Sequence, residues 1–199
     1  MKFGFIVTTG DPRTAADLAA EVEAAGWDGA FYWDGIAIGE MEAYDPWVVM
    51  AGMALRTERV RLGAIVTPPS RRRPWKLARE TMTLDRLSGG RLVFPVGLGA
   101  LDDGAFGNMR YDGIVTQRDR PEDIRAIAEY IARERPARLD DPPFEIVVQG
   151  RTSPDDADAA AVVRPFAEVG ATWWIDADWE GPTVESLRRR IQAGPPRVP

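Results

Sequence analysis

Short apolar runs alternate along the chain with stretches of helical period. Phe3–Val7 is a continuous apolar run that ends in Thr8-Thr9-Gly10-Asp11-Pro12, which predicts a buried strand and a loop. Thr14 is the expected cap of a helix whose apolar face carries Leu18, Val22 and Ala25, with Gly26 as its stop. Gly29–Trp33 predicts a second strand, with Asp34-Gly35 just beyond it. Asp45-Pro46 pairs a helix cap with proline at the first helical position. The helix that follows, Trp47–Arg56, is apolar on most sides, so it should be buried or sit at an interface. Val60–Val66 predicts a third strand closed by Thr67-Pro68-Pro69. Pro74 opens a helix through Leu77, Met82 and Leu87 that Gly89-Gly90 ends. Arg91–Val96 predicts a fourth strand, followed by Gly97-Leu98-Gly99.

Strand and helix recur at roughly 30-residue intervals, the rhythm of parallel βα units. After Gly99 the rhythm breaks. Ala100–Arg120 is rich in Gly and Asp and has no period, and the helix Pro121–Arg135 stands alone before Phe144. Phe144–Val148 predicts a fifth strand. Ser153-Pro154-Asp155-Asp156 should open a helix kinked at Pro165, Ala171–Ile175 a sixth strand, and Thr183–Ala193 a last helix stopped by Gly194-Pro195-Pro196. The expectation is one α/β domain over 1–199. Its open parallel edges need closure, and Pro121–Arg135 is the obvious cover.

The chain has 199 residues, 45% hydrophobic and 28% charged, enough apolar material for a core. A net charge of −6 argues against nucleic acid as partner, and the runs Arg71–Arg73 and Arg188–Arg190 read as solvated faces. With no Cys and no His, disulfides, thiolate chemistry, an imidazole base and a His-ligated metal are excluded, and no metal site is expected. No stretch approaches the roughly 18 apolar residues of a membrane span, and Met1–Val7 lacks a leader's long apolar region. A cytoplasmic protein with no membrane partner is expected.

Gly97-Leu98-Gly99 follows a strand as a dinucleotide fingerprint would, but Asp102 stands where that fingerprint needs Gly or Ala. The turn either lets backbone N–H groups approach a phosphate or is a plain tight turn. Asp34 is the first charged group after an apolar strand. It fits a general base, a ligand-orienting carboxylate or a cation ligand, and equally a loop hydrogen bond. Thr67-Pro68-Pro69 and Gln149-Gly150-Arg151 sit at the same ends of their strands. Trp173-Trp174 and Trp179 fit stacking on a planar cofactor, though core filling is the commoner use. Alternation turns the adjacent pair to opposite faces.

Taken together, Trp33-Asp34, Asp45-Pro46-Trp47, Arg59–Gly63, Val66-Thr67-Pro68, Arg71–Trp75 and Leu84–Leu92 resemble luciferase-like flavin-dependent oxidoreductases in order and spacing, as do Phe144–Gly150, Gly170–Ile175 and Arg188–Pro196. The resemblance implies a TIM-type (β/α) barrel, here reduced to about six parallel strands where a complete one takes about 250 residues. It implies FMN or a deazaflavin coenzyme at the carboxyl ends of the strands, a small-molecule substrate, and a homodimer joined near Trp47–Arg56. Asp34 becomes the candidate catalytic residue. Thr67, Gly97, Gly99 and Gln149 become cofactor contacts, with Arg151 if it turns inward. Three departures stand out. Gly35 replaces a His that relatives often carry, Pro95 interrupts the fourth strand, and two βα units are absent, among them the loop that helps hold the flavin phosphate. They imply weak or lost cofactor binding. The alternative is a non-catalytic homologue acting as a binding or partner subunit.

Overall fold

The computed structural model describes residues 1–36, 41–97, 120–134, 146–153 and 158–196. Its elements in chain order are β1 (Lys2–Ile6), α1 (Pro12–Ala24), β2 (Gly29–Tyr32), α2 (Pro46–Arg56), β3 (Arg61–Ala64), a short 3-10 turn (Pro69–Arg71), α3 (Pro74–Leu87), α4 (Pro121–Glu134), β4 (Val147–Gly150), α5 (Ala159–Glu168), β5 (Trp173–Asp176) and α6 (Val184–Gln192). The five strands form one sheet in the order β3-β2-β1-β5-β4, every pair parallel. This is the α/β architecture of strand–helix repeats expected from the sequence.

Local chemistry explains the boundaries. Asp11, not Thr14, caps α1: its carboxylate accepts the Thr14 N–H at 2.7 Å, and Pro12 takes the first helical position. Asp45 caps α2 by accepting from Trp47 and Val48. The loop into β3 is pinned by Glu23, which accepts the backbone N–H groups of Glu58, Arg59 and Val60. Arg91 binds the far side of that strand, donating to the carbonyls of Ala54, Thr57, Val60 and Ser88.

The expected fourth strand is reduced. Arg91–Val96 meets β3 and its extension through two isolated bridges, Leu62–Leu92 and Thr67–Val96. Pro95 lacks the N–H a continuous ladder needs, so it accepts from Thr67 N but donates nothing. The expected fifth strand is observed as Val147–Gly150, ending two residues beyond the expected Val148, and Phe144 lies outside the described residues. The helix expected from Ser153 begins at Ala159 under an Asp158 cap, residues 154–157 lying outside the described residues. Pro165 sits inside it.

On one face of the sheet, Phe31 lies across β1 and β2 because both present glycine there. A Cβ on Gly4 or Gly29 would come within 2.4 or 2.5 Å of the Phe31 ring. Trp173 meets Phe31 edge-on at 5.9 Å, while Trp174 packs on Phe166 of α5, as alternation requires. On the outer face α1 packs against α2 and α6, α2 against α3, and α4 against α5. The all-round apolarity of α2 is mostly explained by this layer: Trp47, Val49, Met50, Met53 and Ala54 are buried, whereas Val48 and Leu55 are exposed. No helix among the described residues is long and apolar enough to cross a membrane.

Candidate functional site

The carboxyl ends of β2 and β3 gather an unusual density of buried polar groups. Trp33 and Asp34 follow β2 directly. The chain leaving β3 turns through Thr67, Pro68 and the 3-10 turn, and so delivers Arg71 and Arg72 to the same place. The Arg72 Nη2 donates to both Asp34 carboxylate oxygens at 2.7 Å, and Arg71 Nη1 reaches the Asp34 carbonyl at 3.4 Å. The Arg72 guanidinium also lies 5.6 Å from the centre of the Trp47 ring, a cation–π contact. Trp33 stacks on Tyr32 and meets Trp179 edge-on, and Trp47 lies beside Phe94.

The Asp34 side chain is only 7% exposed. Burial pushes its carboxyl above the ordinary aspartate range. The hydrogen bond and charge of Arg72, then the charge of Arg71, pull it back, and Asp45 pushes it further up. Burial also raises the Tyr32 phenol to about 12. Thr67 is fully buried. Its backbone is held on both sides, N–H to Pro95 and carbonyl from Gly97, yet its Oγ1 has no partner among the described residues. The indole N–H groups of Trp33 and Trp47 and the Nε of Arg72 are buried and likewise unpartnered among those residues.

The other expected site residues separate. Gly97 belongs to the Thr67 turn, but its lack of a side chain is explained by packing, since a Cβ there would lie 2.6 Å from Val66. Gly99 lies outside the described residues. Gln149 is half-buried on the edge strand β4, separated from β2 by two strands, β5 and β1. Arg151 turns outward and pairs with Asp178 and Glu180. It lines a separate cavity of about 210 Å³ between the ends of β4 and β5 and the start of α6. In the wall of that cavity Arg190 donates to Thr152 and Asp176, all three largely buried. Both arginine runs therefore depart from the solvated faces expected. Arg72 and Arg190 are committed to buried carboxylates, and Arg71 and Arg188 are part-buried. The sequence puts the Arg72 run after Thr67-Pro68-Pro69, in a carboxyl-end loop, but does not set which way its side chain turns. No group of three potential metal-ligating side chains occurs among the described residues.

The family model for luciferase-like monooxygenases matches residues 1–104, which carry β1 to β3, the mouth and the two bridges. The chain belongs to the luciferase-like monooxygenase family. A Mycobacterium tuberculosis protein named for coenzyme F420-dependent oxidoreductase activity is 30% identical over 141 residues, 70% of this chain and 38% of its own length. The limonene 1,2-monooxygenase of Rhodococcus erythropolis is 32% identical over 108 residues, 54% of this chain and 27% of its own. The chain thus spans well under half of either curated relative. The fold of this luciferase-like chain is similar to that of the monooxygenase RslO1 from Streptomyces bottropensis, with a TM-score of 0.76, 15% identity and 97% of both chains covered.

A flavin or deazaflavin needs a polar edge for its ring and a cationic or N–H-rich cradle for its phosphate. Asp34 and the unpartnered Thr67 hydroxyl fit the first requirement. For the second, Arg72 and Arg151 are already engaged by carboxylates.

Proposed function

We propose that this luciferase-like chain is an oxidoreductase that uses FMN or a deazaflavin coenzyme on a small-molecule substrate, with weak coenzyme binding. The observation that carries the reading is the buried mouth at the ends of the neighbouring strands β2 and β3, where Asp34 follows the first and a fully buried Thr67, whose hydroxyl lacks a partner among the described residues, follows the second. A bound flavin or deazaflavin would supply the electron pair. The chain's own part is to receive the ring edge at Thr67, to present Asp34 as the acid or base, and to keep water out with Trp33 and Trp47. Relatives named for deazaflavin chemistry and for monooxygenation both support the class and leave the two coenzymes as alternatives. Weak binding follows from the cations: each charge-assisted hydrogen bond missing from a phosphate cradle costs about 1.5–3 kcal/mol, roughly ten- to a hundredfold in affinity.

The test is fluorescence titration of the purified chain with FMN and with coenzyme F420. Binding of one of them at micromolar or higher concentration, weakened further by Asp34→Asn, is expected. Submicromolar binding would refute the weakness. No binding at millimolar concentration would favour the second reading, a non-catalytic partner subunit, which the outward-turned Arg151 also supports.

A further inference from the structure

Asp34 sits in surroundings that disfavour its charge. Its side chain is 7% exposed, Trp33 precedes it, and Asp45 at the start of α2 adds a like charge. Two groups oppose this, both from the loop between β3 and α3. Arg71 reaches the backbone carbonyl of Asp34. Among the described residues only Arg72 donates to the carboxylate, with one nitrogen shared between both oxygens, so that it sets the direction in which the carboxylate points as well as favouring its charge. Arg72 is in turn held: its side chain is 17% exposed and its guanidinium lies over Trp47 of α2. A flexible surface pair would lose this geometry to side-chain entropy, whereas one seated on an indole keeps it.

We propose that Arg72 is a positioning residue, which holds the Asp34 carboxylate in one orientation at the mouth and keeps it ionised there. Without Arg72, burial and Asp45 act on Asp34 opposed only by the weaker charge of Arg71. The acid then takes up its proton at higher pH and is free to rotate. With Arg72 in place the mouth presents a net-neutral ion pair. A neutral pair bordered by indoles suits an uncharged ring edge better than an anion, because an anion would meet the carboxylate with its cation already engaged. That bearing on the ligand rests on the function proposed above. The effect of Arg72 on Asp34 does not.

The experiment follows the Asp34 carboxyl ¹³C shift against pH in the full chain without coenzyme, the signal being assigned by its loss in Asp34→Asn. Arg72→Gln keeps a hydrogen-bond donor but no charge. It should raise the Asp34 midpoint by about one to three pH units, the size of an opposite charge at this distance. Arg72→Lys should restore most of that shift. An unchanged midpoint in folded Arg72→Gln, or a lysine variant no different from glutamine, would overturn the proposal. Should Arg72→Gln fail to fold, the wild-type Arg72 side-chain N–H signals decide. They must move with the Asp34 midpoint, and a flat Arg72 signal would overturn it. Titration of the same variants with FMN and with coenzyme F420 separates the two readings. A shifted midpoint with no binding of either coenzyme sustains the role of Arg72 and sinks the oxidoreductase function.

Discussion

Removing the Arg190 guanidinium tests how the carboxyl ends of β4 and β5 are fastened to α6. Arg190 donates from Nε and Nη2 to Thr152 Oγ1 at 3.0 and 2.6 Å, from Nη2 to Asp176 at 3.0 Å, and from Nη1 to the Gly194 carbonyl at 2.8 Å. It also lies 4.9 Å from the Trp27 ring centre. Asp176 is 2% exposed, so Arg190→Met leaves a buried carboxylate without its cation. Breaking a buried pair by deleting one member costs about 3–5 kcal/mol. Asp176 still accepts from the Thr152 N–H and hydroxyl, and methionine keeps most of the packing, so about 3 kcal/mol is expected. Urea unfolding followed by tryptophan fluorescence measures it. Arg190→Lys should recover less than half, since an ammonium cannot reach Thr152, Asp176 and Gly194 at once. The double variant Arg190→Met with Asp176→Leu should be less costly than the two singles summed by about 1–3 kcal/mol. A single cost below about 1 kcal/mol, or strict additivity in the double variant, would refute the reasoning.

Phe31→Ala should cost about 3–5 kcal/mol, because Gly4 and Gly29 have no side chains to fill the space it leaves; an unchanged urea midpoint would count against this. Glu23 is desolvated by partial burial, yet its three backbone donors hold its carboxyl below the usual glutamate range. A depressed folded value means its stabilisation is present above the unfolded value and lost as pH falls through the folded one. Glu23→Gln should therefore flatten the acid limb of the stability–pH curve below about pH 4.3, and an identical limb in the variant would show the donors to be idle. A homodimer through α2 and α3 is proposed, since Val48, Leu55, Trp75 and Met82 are exposed there. Light scattering should give twice 22.0 kDa, falling toward the monomer in Leu55→Glu with Trp75→Glu, and a monomeric wild type refutes it.

The apolar runs made the parallel sheet legible because strands buried on both faces read as continuous hydrophobic stretches. Phe3–Val7 and Gly29–Trp33 were visible for that reason, and the glycines within them became meaningful only when Phe31 was seen to lie over both. Arg91–Val96 looked like an equal strand, and Pro95 correctly marked it as interrupted. The sequence could not show that the remaining contacts are single bridges to Leu62 and Thr67. Asp34 and Thr67 could be placed from their positions after strands. Arg72 could not, because a run of three arginines before a helix has the same appearance whether it faces water or turns back over a neighbouring loop. The direction is set by the 3-10 turn at Pro69–Arg71 and by Trp47, which is remote in sequence. Gln149 and Arg151 matched a site by position along their strand. Strand order, which periodicity does not encode, puts two strands between them and β2.

Among the described residues, two buried carboxylate–guanidinium pairs sit at the carboxyl end of one sheet, and they differ in what surrounds the acid. Asp176 accepts from a backbone N–H, a hydroxyl and Arg190, and that arginine spends its other donors on Thr152 and Gly194. Such a network leaves little unsatisfied and little to gain by rearranging, which is the property of a fastening. Asp34 accepts only from Arg72 among the described residues, under a burial that still drives its carboxyl upward. The Arg72 Nε and the indole N–H of Trp47 beside it have no partner there. An acid whose hydrogen bonds come from a single cation changes its protonation when that one contact changes. The same pair of residue types therefore fixes structure at Asp176 and leaves a responsive group at Asp34. That contrast, rather than burial alone, is the reason to look for chemistry at the β2–β3 mouth.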